Sequence, residues 1–295
     1  MSILEALVLG IVQGLTEFLP VSSSAHLVLV PDLLGWKSPT VSFDLVLHLG
    51  SMFAVLVYFW RDLLEIVKAF FNAGEAAVVK RRVGLFLVVG TIPAAVIGGL
   101  LQSRFEAAFG EPTWVAFFLL ITGALLLASQ LVSGERAVNG RGVAEMKLSD
   151  VLAIGFAQAV AILPGISRSG STISTGLFLG LRRETAARYS FLLSVPIIAG
   201  AAIMKLRHGF GGEGDADNGE GAATLIVGFV FAAISGFAAV KCMPGFVRRH
   251  SLFGVAGYGW IVRGGGLPWG APGGGGPCSS WRLAGGSADS PSAVA

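Results

Sequence analysis

Apolar runs of membrane-spanning length recur along this chain and largely decide what it can fold into. Hydrophobic residues make up 54% of its 295 residues and charged residues only 13%, about half the share usual in soluble domains. About 20 apolar residues suffice to cross a bilayer as a helix, which satisfies its own backbone hydrogen bonds in lipid. We therefore predict an all-α polytopic membrane protein with five to six transmembrane helices. The spanning runs lie at residues 41–59, 84–101, 113–132, 187–204 and 223–240.

Two further apolar segments are interrupted by proline. Residues 3–34 are broken at Pro20 and residues 150–180 at Pro164, with Ser or Gly beside each proline. Each half is too short to span, which favours a re-entrant pair of half-helices in both segments. Such irregular backbone is tolerated at membrane depth only where protein or water covers it.

The placement of basic residues favours an inverted arrangement of these two segments. If each enters and leaves on one side, fourteen Lys and Arg residues lie on one face of the membrane and four on the other. By the positive-inside rule the richer face is cytoplasmic. The first broken segment then enters from outside and the second from the cytoplasm. The connections on the cytoplasmic face are 60–83, 133–149, 181–188 and 241–250.

A second pair of segments repeats in the same order. Leu87–Gly98 and Leu225–Gly236 carry Gly, Ala, Ala and Gly at the same spacing. Small residues also favour close packing between any two membrane helices, but the repeated order favours an inverted-topology repeat. The predicted organisation is one membrane domain at 1–262, with halves at 1–132 and 150–262, and a Gly/Ser/Pro-rich, disordered tail at 263–295.

The first break carries polar side chains that are costly in lipid, and intramembrane ionisable residues are functional candidates by default. Gln13 and Glu17 are four residues apart and so share one face of a helix. Serine is a preferred N-cap for the half-helix that follows the break. The candidates after Pro20 are Ser22, Ser23, Ser24 and His26.

The second break has a similar cluster of hydroxyls and also contains Arg168. Free N–H groups at two half-helix N-termini form an anion site, and the planar guanidinium of Arg168 suits phosphate oxygens. A lone Glu17 beside a phosphate site indicates a hard divalent cation, bound by one carboxylate and by substrate oxygens. The hydroxyl candidates for substrate binding are Ser167, Ser169 and Thr172, alongside Gln13, Ser22 and Ser24 of the first break.

Each of these residues also has a structural interpretation. Glu17 and Arg168 are able to form a structural ion pair, and serines in membrane helices often bond backbone carbonyls. For His26 and Gln13 the structural alternative is a role in helix packing alone. We assign Asp44 and His48 structural roles, since neither has an evident partner in the sequence. The combination at the two breaks is more specific than any single member.

Both breaks resemble the signatures of a known family. The motifs Gln13-x-x-x-Glu17-Phe-Leu-Pro-Val-Ser-Ser and Pro164-Gly-Ile-Ser-Arg-Ser-Gly-Ser-Thr172 resemble those of the bacterial undecaprenyl-diphosphate phosphatases, also called bacitracin-resistance proteins. The resemblance covers roughly residues 1–250. At Gln13 the family has Glu or Gln, so this chain keeps one carboxylate of the pair.

The resemblance implies an enzyme that hydrolyses undecaprenyl diphosphate to the monophosphate. Such an enzyme recycles the lipid carrier for peptidoglycan synthesis and confers bacitracin resistance. It implies a multi-pass protein of the bacterial inner membrane whose site opens to the outer side, with a divalent cation, Mg²⁺ or Ca²⁺. The expected partners are a polyprenyl diphosphate and the membrane, and no nucleic acid. Whether the chain forms a homo-oligomer is left open. The family positions implicated in activity are Glu17, Ser23, His26 and Arg168.

The C-terminus departs from the family pattern. Relatives continue past Arg248–Ser251 with Phe-x-x-Tyr-Arg and a last spanning helix, whereas here Tyr258 is followed by Gly259, Trp260 and a glycine-rich tail. The sixth span is therefore expected to be absent or replaced.

The residues suggest a mechanism and leave two alternatives open. Glu17 would hold the cation and Arg168 the diphosphate. Ser23 is the candidate nucleophile, with His26 three residues on as its general acid/base. Direct attack by water, with Glu17 as base, is the competing route. The competing function is a lipid-carrier flippase or secondary transporter, since inverted repeats with broken helices are typical of transporters.

Overall fold

The structure, a computed structural model, describes residues 1–109, 112–134, 136–207, 221–249, 253–255 and 257–258. The tail predicted at 263–295 lies outside the described residues. Within them the regular structure is helical, apart from one isolated bridge between Arg141 and Leu181. The helices are α1 (Ile3–Phe18), α2 (Ser23–Leu34), α3 (Val41–Tyr58), α4 (Trp60–Ala69), α5 (Glu75–Phe109), α6 (Pro112–Ser133), α7 (Arg136–Asn139), α8 (Leu148–Val160), α9 (Arg168–Phe178), α10 (Arg183–Arg207) and α11 (Ala222–Arg249), with a 3-10 helix at Val143–Glu145.

Four helices of the described chain are long and apolar enough to cross a membrane. Shorter apolar helices accompany them, including α2, α8 and the Phe117–Ser133 part of α6. The prediction of an all-α polytopic membrane protein is confirmed. The four long stretches are Val41–Tyr58, Glu75–Leu100, Arg183–Met204 and Ala222–Val247.

One connection contains a helix that the sequence analysis did not identify. α4 follows α3 at once, separated only by Phe59. Its residues Leu63 and Ile66 pack against the buried core, while Trp60 and Val67 are about half exposed. Trp60, Leu63, Leu64 and Val67 recur at i, i+3, i+4 and i+7, the pattern of an amphipathic helix, within a segment that the sequence analysis assigned as a connection.

Both predicted breaks are present, and their causes are local. Leu19 precedes Pro20 and has extended backbone, with φ −69° and ψ 140°, because the proline ring disfavours a helical conformation one residue earlier. In the second break Gly165 has φ +93°. A Cβ there would lie 2.3 Å from the carbonyl oxygen of Val115, so only glycine fits.

The half-helices pack against long helices through matching glycines. α1 packs on α11 and α8 packs on α5. A Cβ at Gly10 would lie 2.7 Å from the carbonyl oxygen of Gly228, and one at Gly155 would lie 2.6 Å from that of Gly90. Gly90 and Gly228 are equivalent positions of the repeated segments. The contacts thus pair the segments that an inverted repeat would pair, although the division into two halves stays a prediction.

Buried aromatic side chains of α10 pack against the helices around the first break. The ring of Phe191 meets that of Phe18, the last residue of α1, edge to face at 5.4 Å. The buried hydroxyl of Tyr189 donates to the carbonyl oxygen of Phe86 in α5 at 2.7 Å. The first contact packs on the end of α1, one residue after Glu17, and the second joins α10 to α5.

Candidate active site

The end of α1 presents an amide and a carboxylate on one buried face. Gln13 is fully buried and Glu17 nearly so. The Nε2 of Gln13 donates to Oε2 of Glu17 at 3.1 Å, as expected for side chains one helical turn apart. The pair therefore forms a preset polar face directly before the break.

Three serines begin the next half-helix. Ser22 caps α2 by accepting a hydrogen bond from the backbone N–H of Ala25 at 3.4 Å. Its φ of +67° is unusual for a residue other than glycine, and strain of this kind is concentrated at functional sites. Ser23, the first residue of α2, donates its hydroxyl hydrogen to Oε2 of Glu17 at 2.6 Å.

The second break places the guanidinium of Arg168 beside the same carboxylate. Ser167 caps α9, and Arg168 is its first helical residue. A terminal nitrogen of Arg168 lies 2.5 Å from Oε1 of Glu17, and the other donates to the carbonyl oxygen of Ser190 at 3.3 Å. Glu17 is thus bonded through one oxygen to Ser23 and through the other to Arg168, 151 residues further along the chain.

Hydroxyl groups tie the two breaks together. The Ser169 hydroxyl donates to the carbonyl oxygen of Leu19 at 3.1 Å, and the N–H of Gly165 donates to Oγ of Ser24 at 3.4 Å. The hydroxyls of Thr172 and Ser190 are hydrogen-bonded at 2.6 Å, and the carbonyl oxygen of Ser190 also accepts a hydrogen bond from Arg168. These contacts are structural, and the prediction that the same hydroxyls bind substrate stays a prediction.

Comparison with known proteins bears on this arrangement. The chain matches the family described as bacitracin resistance protein BacA over residues 6–265. The chain belongs to the BacA family. The match covers both breaks, and the recognition of the family from their two motifs is confirmed.

Curated relatives carry one name. The undecaprenyl-diphosphatase of Moorella thermoacetica is 42% identical over 258 residues, covering 88% of this chain and 94% of the relative. That of Geobacter metallireducens is 43% identical over 261 residues, covering 86% and 93%. That of Myxococcus xanthus is 43% identical over 255 residues, covering 85% and 83%.

His26 lies in this BacA-family site with different partners from those predicted. Its Nδ1 lies 2.7 Å from the carbonyl oxygen of Ser22, so this nitrogen must carry the donated hydrogen. Its Nε2 lies 2.9 Å from the hydroxyl of Tyr258, and the two rings stack with centroids 5.7 Å apart. Ser23 instead bonds to Glu17. The geometry therefore assigns the proton of Ser23 to Glu17 rather than to His26.

Two residues of α3 complete the polar cluster, and the sequence analysis missed both. Nε2 of His48 lies 3.8 Å from Oε2 of Glu17. Oγ of Ser51 accepts a hydrogen bond from Nε2 of Gln13 at 3.4 Å. The sequence analysis named no partner for His48, and the structure places it beside Glu17. The rule that flagged Glu17, an ionisable residue inside an apolar span, applies equally to His48.

Burial makes the charges around Glu17 depend on one another. The side chain of Glu17 is 7% exposed and that of Arg168 is 15% exposed. A buried charge that loses its partner is strongly destabilising, whereas a paired one is tolerated. The N-termini of α2 and α9 also meet at this carboxylate, and helix N-termini favour negative charge. The surroundings of Glu17 therefore stabilise negative charge.

The donors around Glu17 suit a divalent cation. Oε1 of Gln13 is buried and has no hydrogen-bond partner among the described residues. Exchanging the positions of the oxygen and nitrogen of the Gln13 amide would place this oxygen beside the Glu17 carboxylate. A cation bound between the two oxygens would make that arrangement favourable. In the described part of the chain no three His, Cys, Asp or Glu side chains are placed to hold a metal. The cation expected here is therefore one held by few protein ligands and by substrate oxygens, as Mg²⁺ commonly is.

Proposed function

We propose that this chain hydrolyses undecaprenyl diphosphate to undecaprenyl phosphate and inorganic phosphate. The observation that carries the proposal is the position of the Glu17 carboxylate, which bonds the hydroxyl of Ser23 and the guanidinium of Arg168 at once. A base, a nucleophile and a cation that binds phosphate are the groups that phosphoryl transfer needs. The curated relatives named undecaprenyl-diphosphatase support the same activity.

In the proposed mechanism Ser23 attacks the terminal phosphorus atom. Its hydroxyl already donates to Oε2 of Glu17, so the carboxylate takes the proton as the Oγ–P bond forms. The bond from phosphorus to the bridging oxygen breaks, and the lipid monophosphate leaves. Water then hydrolyses the phosphoserine, releasing phosphate and restoring the Ser23 hydroxyl.

Arg168 stabilises the negative charge of the transferring group. A guanidinium has five N–H donors, and the described contacts of Arg168 use two of them, one to Glu17 and one to Ser190. The remaining three are able to bind phosphate oxygens. The N-termini of α2 and α9 add their partial positive charge.

His26 acts as a positioning residue in this scheme. By donating to the carbonyl oxygen of Ser22 it stabilises the left-handed conformation that begins α2. The hydroxyl of Tyr258 in turn fixes the second ring nitrogen. The direction of the Ser23 hydroxyl thus depends on a chain of contacts that reaches the C-terminal segment.

A divalent cation, Mg²⁺ or Ca²⁺, belongs to the proposal, and Glu17 with the amide oxygen of Gln13 would hold it. When bound, such a cation neutralises the charge of the diphosphate and orients it. The polyprenyl chain would lie along apolar surfaces between the helices. These assignments rest on the donor set and on the family resemblance.

Phosphate release from the detergent-purified chain tests the proposed function. With undecaprenyl diphosphate and Mg²⁺ we expect turnover, and we expect a chelator to abolish it. Lipid movement needs two compartments whereas hydrolysis does not, so this assay also separates a phosphatase from a flippase. Absence of phosphate with Mg²⁺, Ca²⁺ and Mn²⁺ alike would overturn the proposal.

Stereochemistry distinguishes Ser23 from water as the nucleophile. A substrate with a chiral terminal thiophosphate should give net retention through a phosphoserine, because two inversions occur. Direct attack by water, with Glu17 as base, should give inversion. Inversion would remove Ser23 as nucleophile and leave the phosphatase activity intact.

We place the protein in the bacterial inner membrane with the site open to the outer side, as the family resemblance implies, and with its basic connections in the cytoplasm, as the positive-inside rule predicts. Single cysteines at Lys80 and at Gly214, the latter outside the described residues, test this orientation. We expect an impermeant reagent to label Gly214→Cys from outside intact cells and Lys80→Cys only after lysis. Labelling of both from one side would contradict the inverted topology.

A further inference from the structure

His48 has the geometry of a metal ligand. Its Nδ1 lies 2.7 Å from the carbonyl oxygen of Asp44, one turn earlier in α3. A carbonyl oxygen only accepts, so Nδ1 carries a hydrogen, and in the neutral form of the ring the electron pair lies on Nε2. A hydrogen bond from one ring nitrogen to a carbonyl group is the usual partner arrangement of a histidine that binds a metal through the other nitrogen.

The free nitrogen faces the carboxylate of Glu17. The distance from Nε2 to Oε2 is 3.8 Å, too long for a hydrogen bond. An electron pair directed at a carboxylate is unfavourable unless positive charge lies between them. Two ligands that each lie about 2.1 Å from one metal ion can be up to about 4.2 Å apart, so this separation fits a cation between the two atoms.

Two polar side chains lie around the same point. Nε2 of Gln13 donates to Oε2 of Glu17 at 3.1 Å, and the Ser23 hydroxyl donates to the same oxygen at 2.6 Å. The amide oxygen of Gln13 is buried without a partner among the described residues. The side chain of His48 is 31% exposed, which leaves a path for ion exchange.

We propose that Nε2 of His48 is a further protein ligand, beside Glu17 and Gln13, of the cation that the proposed function requires. An imidazole nitrogen suits first-row transition-metal ions such as Zn²⁺, whereas Mg²⁺ and Ca²⁺ prefer oxygen alone. Mn²⁺ shares the oxygen preference of Mg²⁺ but, as a transition-metal ion, also accepts a nitrogen ligand. His48 therefore increases the affinity for Mn²⁺ more than that for Mg²⁺. The inference rests on the proposed function for its cation but is tested by metal binding alone.

Electron spin resonance of bound Mn²⁺ tests the ligand directly. The full chain is purified in detergent, stripped with a chelator and loaded with Mn²⁺. We expect spin-echo modulation from a coordinated ¹⁴N nucleus, replaced by the ¹⁵N pattern when the protein is labelled with ¹⁵N-histidine. The isotope exchange needs no substitution, so the test does not depend on whether a variant folds.

Matched variants identify which histidine binds. His48→Gln should lose the nitrogen modulation and bind Mn²⁺ at least about tenfold more weakly, with a smaller change for Mg²⁺. His26→Gln should keep the modulation, because His26 bonds to Ser22 and Tyr258 instead. The proposal is overturned if the unmodified chain shows no nitrogen modulation or if His48→Gln keeps it. Equal Mn²⁺ affinity of the unmodified chain and His48→Gln would overturn it as well. An imidazolium paired with Glu17 would give the first of these results.

Parallel phosphate-release assays keep the two proposals separate. Hydrolysis with Mg²⁺ by a chain that shows no nitrogen modulation would overturn the role of His48 and leave the phosphatase intact. A nitrogen signal without hydrolysis under any cation would support the ligand and overturn the proposed function.

Discussion

Ser23 and Arg168 hold the same place in their half-helices, each being the first helical residue after a capping serine. Both caps accept from the backbone N–H three residues later, and both approach a serine two residues later at 3.2 Å. Ser167, Arg168 and Ser169 lie 145 positions after Ser22, Ser23 and Ser24. The two breaks thus present a nucleophile and a cation from equivalent positions.

The residues one turn before the breaks differ. Gln13 is followed at the fourth position by Glu17, whereas its counterpart Gln158 is followed at the fourth position by Ile162. Gln158 is buried, and neither polar atom of its amide has a hydrogen-bond partner among the described residues. A similar backbone therefore does not by itself make a site, and the carboxylate of Glu17 is what joins the two breaks chemically.

The largest effect should come from removing that carboxylate. Glu17→Gln leaves Ser23 without a base and Arg168 with a buried, unpaired charge. We expect hydrolysis to fall about 10³-fold and the free energy of unfolding to fall by about 3–5 kcal/mol. Phosphate release and thermal unfolding measure the two effects. Ile162→Leu, at the counterpart position, should change neither, and near-normal turnover by Glu17→Gln would refute the comparison.

Arg168→Lys should have the next largest effect. Lysine keeps the charge but loses the planar fork that bonds Glu17 and Ser190 together. We expect turnover to fall about 10²-fold with the fold retained, as judged by phosphate release and circular dichroism. Arg61→Lys, on exposed α4, is the matched control and should be unchanged. Equal activity of both variants would exclude a bidentate role for Arg168.

The sequence predicted the breaks because their causes are local. A proline that ends a helix and a serine that caps the next act within a few residues, so motif spacing alone located Ser23 and Arg168. The meeting of Glu17 with Arg168 also followed, as the structural ion pair that the sequence analysis left open. His48 and Ser51 did not follow, because the face that α3 turns to α1 depends on tertiary packing. The bond from His26 to Tyr258 joins residues 232 positions apart, and no local pattern predicts it.

Substitution of the two glutamines should sharpen the comparison. Gln13→Met removes a hydrogen bond to a carboxylate, and we expect a loss of activity of about tenfold. Gln158→Met replaces an amide that has no hydrogen-bond partner in the described part of the chain by an apolar side chain of similar size, and should stabilise the fold by about 1–3 kcal/mol with activity unchanged. Turnover and thermal unfolding are measured for both. If Gln158→Met also abolishes hydrolysis, the second break has a polar role like that of the first.

The smallest effect is expected at Tyr258. Tyr258→Phe keeps the ring stacked on His26 but removes the hydroxyl 2.9 Å from Nε2. Loss of about 1 kcal/mol of positioning corresponds to about a fivefold fall in turnover. Tyr58→Phe, which removes a hydroxyl from aromatic packing with Phe59, serves as control. A hundredfold loss in Tyr258→Phe would instead place this hydroxyl among the catalytic groups.

The glycine contacts of α1 with α11 and of α8 with α5 have a consequence for how such a fold can arise. In each, a glycine of a half-helix lies against the carbonyl group of a glycine in a long helix, Gly10 on Gly228 and Gly155 on Gly90. Because each contact joins one predicted half of the chain to the other, two copies of a half-length ancestor, inserted in opposite directions, would form both contacts as an antiparallel dimer. Fusion of the two copies would then free one break to keep the acid and the other the arginine, with the basic connections setting a single direction of insertion.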